Sequence, residues 1–197
     1  RQLIDEVLIL FTAGHETTAN ALSFTLFLLA KHPQWQEDIF DEIKELNFSE
    51  DIMSAIGQAQ MVKHCIEEAM RLYPPVYVID RVSLEDDTIK NRSFEKGTVW
   101  LMSMYELHRS KKFWRKPEDF DPTRFNELNS KDYSDFYYPF GAGPRMCVGN
   151  NFAIFEMIMV ISTILKDYRV SATSEKVEIN PLISLKPQNV FLKLEKR

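Results

Sequence analysis

One cysteine stands among glycines in the stretch Phe140 to Gly149, Phe-Gly-Ala-Gly-Pro-Arg-Met-Cys-Val-Gly, and a nearly uncharged segment follows it. Gly141, Gly143 and Gly149 permit backbone angles that side chains resist and let a main chain pass close to a ligand. Pro144 stiffens the turn. Asn150 to Leu165 is apolar on almost every side, with Glu156 its only formal charge, which predicts a buried helix. Cys147 therefore precedes a helix N-terminus, where free N–H groups and the helix dipole favour a thiolate. Three roles suit such a residue. It can be a small core side chain in a glycine-rich turn, as most lone cysteines are. It can be a catalytic thiol, which needs a histidine beside it, His108 or His15. Or it can be an axial metal ligand.

The remainder of the chain reads as helices first and strands later. Leu3 to Ala30 has helical character throughout and ends at Lys31-His32-Pro33. Its interior carries Ala13-Gly14-His15-Glu16-Thr17-Thr18, a glycine costing about 1 kcal/mol against alanine and a threonine able to bond back to the Ala13 carbonyl and bend the helix. As a bundle helix alone this polar patch is a poor choice for stability. Pro33 suits the first position of a second helix, in which Trp35, Ile39, Ile43 and Leu46 recur at helical spacing. A connector with a short helical piece runs from Asn47 to Gln60. Met61 to Tyr73 is predicted as a third long helix, stopped by Pro74-Pro75, with Val62, Cys65, Ile66, Ala69 and Tyr73 as its apolar stripe. Glu68 and Arg71 lie three apart on another face, a spacing that most often marks a surface ion pair.

From Tyr77 to Met104, short β-prone runs (Val76–Ile79, Thr88–Ile89, Thr98–Met104) alternate with turn residues, which predicts a small, mostly antiparallel sheet with Arg81 just after its first strand. Leu107 to Tyr138 is long, irregular and proline-punctuated, a pattern associated with function in compact domains. Tyr168 to Arg197 is predicted as strands with turns near Asn180-Pro181 and Pro187. Two cysteines, Cys65 and Cys147, make no disulfide framework, and Cys65 is expected in the core. A net charge of −5 argues against nucleic acid as a partner. The longest apolar run, Phe152 to Leu165, is shorter than the roughly 20 residues that span a bilayer.

The pattern Phe140-x-x-Gly143-x-Arg145-x-Cys147-x-Gly149 resembles the haem-binding loop of the cytochrome P450 family. Ala13-Gly14-x-Glu16-Thr17-Thr18 resembles the family's oxygen-activating signature, and Glu68-x-x-Arg71 its structural helix. The resemblance covers essentially the whole chain. It implies that the Cys147 thiolate is the proximal ligand of haem b (iron protoporphyrin IX), pushing electron density that favours O–O cleavage, with the N–H groups after it tuning the sulfur. Phe140 would pack near the ligand within the Gly141 and Gly143 turn, and Arg145 would pair with a propionate. Gly149 and Ala153 would be small where the following helix passes the porphyrin. Arg81 would reach a propionate, and residues near Val76–Ile79 would face the substrate. Thr17 would hydrogen-bond bound dioxygen, Glu16 would help deliver protons, and Ala13 and Gly14 would leave room for oxygen and substrate. Glu68, Arg71 and Arg124 would form a buried structural set.

By the same resemblance the fold is mainly α with small antiparallel β-sheets (α+β), the C-terminal part of the cytochrome P450 fold. Residues 1–197 would be the C-terminal portion of one domain whose N-terminal part is absent, and not a working enzyme alone. The implied activity is insertion of one oxygen atom of O2 into a hydrophobic organic substrate, with electrons from NAD(P)H through a ferredoxin, flavodoxin or flavoprotein reductase. The protein would be cytoplasmic, or membrane-anchored through a segment not present. A haem-thiolate peroxygenase or isomerase, or a helical fragment binding no haem, stands as the alternative. Retention of the acid–threonine pair counts against the first, and the colour of the purified protein decides the second.

Overall fold

The computed structural model describes residues 1–126 and 133–197. Helix α1 spans Gln2–Lys31 without interruption, and α2 (Pro33–Ile43) starts directly on Pro33. The short α3 (Ile52–Gln58) leads into α4 (Gln60–Leu72). Helix α5 is a single turn, Met104–Leu107, and α6 covers Asn150–Asp167. The long helices close because apolar residues on one face of each meet in a shared core. Leu28 and Leu29 from α1 are buried there, with Ile39 and Ile43 from α2, Cys65, Ile66 and Ala69 from α4, and Met157, Ile161 and Leu165 from α6.

Polar side chains fix how these helices meet. Helix α4 has no side-chain cap of its own, and its N-terminus is capped from α2, where the Glu42 carboxylate accepts from the N–H groups of Met61 (2.9 Å) and Val62 (3.5 Å). A carboxylate there also opposes the positive end of the helix dipole. Buried Gln36 donates to the carbonyls of Leu29 and Val170 and accepts from the Val170 N–H, each at 2.8 Å, so α1, α2 and the C-terminal strands share one amide.

The strands form four separate two-stranded antiparallel pairs among the described residues, where the sequence suggested one sheet before the cysteine loop. β1 (Val78–Val82) pairs with β4 (Val99–Ser103). β2 (Asp87–Ile89) pairs with β3 (Arg92–Phe94) across Lys90 and Asn91, both at positive φ (48° and 65°), a two-residue turn whose twist suits a hairpin. β5 (Tyr168–Ala172) pairs with β8 (Leu192–Lys196), and β6 (Glu178–Pro181) with β7 (Leu185–Gln188).

Three expectations are corrected. Arg81 lies inside β1, not after it, because pairing continues to Val82↔Val99. Asn180-Pro181 and Pro187 sit within β6 and β7, and the chain turns instead at residues 182–184; in a two-stranded ribbon each strand keeps a free edge, where a proline forfeits no ladder donor. Helix α6 is buried only along its inner stripe, while Asn151 and Phe152 at its start are exposed. Of the irregular stretch Leu107 to Tyr138, residues 127–132 lie outside the described residues.

Candidate functional site

Tight turns hold the cysteine loop. Gly141 N–H donates to Tyr138 O (3.1 Å), Met146 N–H to Gly143 O (3.0 Å), and Cys147 N–H to Phe140 O (3.0 Å). Gly141 and Gly143 both stand at φ 72°, where a side chain is strained, whereas Gly149 is at −95° and needs no glycine for its backbone angle. Phe140 packs against the helical core. Cys147 is a free, exposed thiol, unlike Cys65, whose burial pushes its thiol well above the ordinary range. The loop lies beside β1, since a Cβ on Gly141 would meet Ile79 Cδ1 at 3.8 Å. Arg81 shares Ile79's face of that strand by two-residue alternation. It donates only to the neighbouring Asp80 carbonyl, and Arg145 is exposed with no ion pair among the described residues. Neither histidine proposed for a catalytic thiol hydrogen-bonds Cys147: the buried His108 ring is engaged elsewhere and exposed His15 stacks on Phe11.

Glu68 and Arg71 are wholly buried, and Arg124 joins them. All five guanidinium N–H groups of Arg71 are used. Nε and Nη2 bind the Glu68 carboxylate at 2.7 and 2.9 Å, Nη1 reaches the carbonyls of His108 and Pro117 at 2.7 Å, and Nη2 also donates to Asp119 O at 3.1 Å. Glu68 Oε1 further accepts from the Asp121 N–H (2.9 Å) and Arg124 Nε (3.2 Å). Burial pushes the Glu68 carboxyl up, and these donors pull it back. The indole of Trp114 lies 5.0 Å from the Arg71 guanidinium carbon.

His108 extends this cluster to the loop. Arg71 holds its carbonyl, and its Nε2 accepts the Tyr138 N–H at 2.9 Å, so the neutral ring carries its proton on Nδ1. Burial drives the ring's pKa down to about 3, and the Arg71 and Arg109 charges push the same way. Tyr138 O then receives Gly141 N–H, and Phe140 O receives Cys147 N–H. A chain of hydrogen bonds, through the His108 ring and otherwise through main chain, thus runs from the ion cluster to the Cys147 backbone. Beside it, a cleft of about 380 Å³ is lined by Lys63, Glu67, Tyr137, Phe140 and Asn150 among others. Burial raises Glu67 to about 7 against the opposing pull of Lys63.

On α1, residues 1–15 are all exposed, and burial begins at Thr18. Ala13, Gly14, Glu16 and Thr17 therefore mark where the helix enters the body. Thr17 Oγ1 donates to Ala13 O at 2.7 Å. Ser23 and Thr25 make the same back-bond, and the helix stays continuous, so this bond alone does not set Thr17 apart. Glu16 accepts from Ser184 Oγ at 2.7 Å, a contact across the whole sequence that no local pattern signals.

The chain matches the family model "Cytochrome P450" over residues 1–194. It is 36% identical over 184 residues to "Cytochrome P450 4c3" of Drosophila melanogaster, covering 89% of this chain and 34% of that one. It is 35% identical over 189 residues to "Leukotriene-B4 omega-hydroxylase 3" of Mus musculus, covering 92% and 36%. Its fold superposes on the crystal structure of a cytochrome P450, CYP102L1, with a TM-score of 0.89 at 27% identity, over 97% of this chain and 45% of that one. The architecture, a mixed α+β body with small antiparallel pairs, is that of part of this fold, and the chain belongs to the cytochrome P450 family. It spans about a third of the length of the two relatives named.

Proposed function

We propose that this chain carries the thiolate ligand and the oxygen-activation helix of a haem-thiolate monooxygenase acting on a hydrophobic organic substrate. The observation that supports it most is Cys147, a free exposed thiol on a turn fixed by Phe140 and followed by the N-terminus of α6. The residues present fit a haem. Val148 (90% exposed) and Phe152 (74% exposed) offer apolar surface beside the thiol, and Arg145, with no ion pair among the described residues, offers a guanidinium for a propionate, with Arg81 as a further candidate. Gly14, Gly143 and Gly149 have open space where a side chain would stand. Among the described residues no cluster of His, Cys, Asp or Glu gathers to hold a metal, so Cys147 would act as a single protein ligand.

Bound there, haem supplies reductive activation of dioxygen: two electrons and two protons leave one oxygen atom in the substrate and the other in water. The protein's own part is to fix the sulfur, offer the apolar surface of Val148 and Phe152 to the group, and handle protons on α1. Thr17 has its hydroxyl hydrogen on the Ala13 carbonyl, so its lone pairs are free to accept from an arriving donor, with Glu16 the adjacent proton carrier. The relative named for leukotriene hydroxylation supports a lipid-like substrate class. A ferredoxin, flavodoxin or flavoprotein reductase supplies the electrons. No helix among the described residues is long and apolar enough to cross a membrane; residence in the cytoplasm, or at a membrane through another segment, fits this reading equally.

The test is the absorption spectrum of the reduced carbon monoxide complex of the haem-loaded protein. A thiolate-type spectrum is expected, lost in Cys147→His and kept in Cys65→Ser. A spectrum of histidine-ligated haem in the parent would overturn the proposal.

A further inference from the structure

The C-terminal ribbon reaches the acid on α1 through a single buried hydroxyl. Ser184, only 3% exposed, sits at the end of the turn between β6 and β7. It donates to Glu16 Oε1 at 2.7 Å and receives Asn20 Nδ2 at 2.9 Å. Asn20, 5% exposed, lies one helical turn beyond Glu16 on the same face. The direction of these bonds follows from chemistry. An amide nitrogen only donates, so Asn20 Nδ2 supplies an N–H to the serine oxygen, and the Ser184 hydrogen is left to point at Glu16 Oε1.

Other contacts anchor the turn. Leu182 O accepts the Tyr77 hydroxyl at 2.9 Å, and Leu185 N–H donates to Pro75 O at 2.8 Å. The serine hydroxyl is thus presented by a turn tied to the segment after α4, not by a free loop. Glu16 is the half-buried member of the trio, and its Oε2 makes no hydrogen bond among the described residues. One carboxylate oxygen is clamped and the other is open, one residue before Thr17.

We propose that Ser184 and Asn20 are positioning residues that hold Glu16 in the pose from which its free oxygen carries protons at the Thr17 turn. This rests on the monooxygenase reading above. A carboxylate on an exposed helix face samples several rotamers, and a proton carrier works only within hydrogen-bond reach of its partner. A buried hydroxyl oriented by a buried amide removes that freedom at one oxygen while leaving the other unoccupied.

The experiment uses the haem-loaded, full-length protein with its electron donor. Product formed per NAD(P)H consumed is measured for the parent, Ser184→Ala, Ser184→Thr and Glu16→Gln. Ser184→Ala should lower this ratio about tenfold, within the range that misplacing a reacting group costs, and approach Glu16→Gln. Ser184→Thr, which restores the hydroxyl, should return most of it. A second readout needs no turnover: the Asn20 side-chain amide resonances of the nitrogen-15-labelled protein should shift in both Glu16→Gln and Ser184→Ala. Parent-like coupling in Ser184→Ala, a threonine variant no better than the alanine one, or an Asn20 amide indifferent to Glu16→Gln would each overturn the inference while leaving the proposed function standing. A parent protein without NAD(P)H-dependent oxygenation would overturn both.

Discussion

Replacing Arg71 by methionine tests what holds the cysteine loop in place. The side chain is wholly buried, and methionine approximates its length, so packing is largely kept while every polar contact is lost. Two costs follow. Glu68 stays buried with its main partner gone, and breaking a buried pair from one side costs about 3–5 kcal/mol. Asp121 N–H and Arg124 remain on Oε1 and hold this toward the lower end. The carbonyls of His108, Pro117 and Asp119 also lose a donor, at about 1–3 kcal/mol each where water cannot replace it. Even the smaller figures amount to a large part of the roughly 5–15 kcal/mol that stabilises a domain.

The assay is equilibrium urea unfolding followed by far-ultraviolet circular dichroism, with soluble yield recorded beside it. Arg71→Met should lose at least about 4 kcal/mol or fail to accumulate in soluble form. The double variant Glu68→Leu/Arg71→Met removes the stranded carboxylate as well, so it should regain part of the charge penalty while keeping the cost of the orphaned carbonyls and of the Asp121 N–H and Arg124 Nε donors that Glu68 no longer satisfies. Arg71→Lys should fall between parent and methionine variant, because an ammonium has three donors and no planar fork. A soluble Arg71→Met protein within about 1 kcal/mol of the parent, the range of an exposed ion pair, would refute the reasoning.

Two pH effects are expected. His108 is held at about 3 in the fold against an ordinary 6.5, so the unfolded chain binds the extra proton first; its contribution is present above pH 6.5 and is lost at about 1.4 kcal/mol per unit as pH falls toward 3. Urea titrations across that range should be visibly shallower for His108→Gln, and parallel curves would refute the assignment. Glu67 has the opposite sign: raised to about 7 from 4.5, it binds a proton more readily in the fold, so its contribution weakens as pH rises through that window. Glu67→Gln should therefore stabilise the protein by up to about 3 kcal/mol at pH 8 and by no more than about 1 at pH 5; an equal effect at both values would show that Glu67 titrates normally.

Helix positions, and which of the two cysteines is buried, were legible in the sequence because each is written locally. Pro33 begins α2 and Pro74 follows the end of α4 at places where the missing N–H and the fixed φ leave little choice. The strand Arg92–Phe94, which pairs with Asp87–Ile89, carried no β-branched signal of its own and was not among the runs read as β-prone. The strand ends were harder. Prolines at 181 and 187 looked like turn residues, and only the two-stranded architecture, with its open edges, makes room for them inside strands. The apolar sequence of α6 predicted burial on all sides, but the described fold covers only one stripe of it.

What the sequence could not show is how the loop is braced, because bracing depends on donors and acceptors far apart along the chain. Glu68 and Arg71 at spacing three look like a surface pair, and nothing local says that the guanidinium will find three carbonyls from residues 108, 117 and 119. Those carbonyls belong to irregular backbone, which no ladder can satisfy, so an arginine with five fixed donors is a physical solution to burying such a segment. The consequence reaches the site. His108 receives the arginine on its carbonyl and offers its ring nitrogen to Tyr138, two residues before Phe140, whose carbonyl takes the Cys147 N–H. An imidazole serves there because it can accept from a main-chain N–H while remaining neutral beside two guanidiniums, and burial keeps it so. The irregular segment, the ion cluster and the backbone that carries Cys147 are one hydrogen-bonded unit. Disturbing Arg71 should therefore loosen the backbone around Cys147 before it melts the helices, since the helices have their own apolar core and the loop meets it through Phe140.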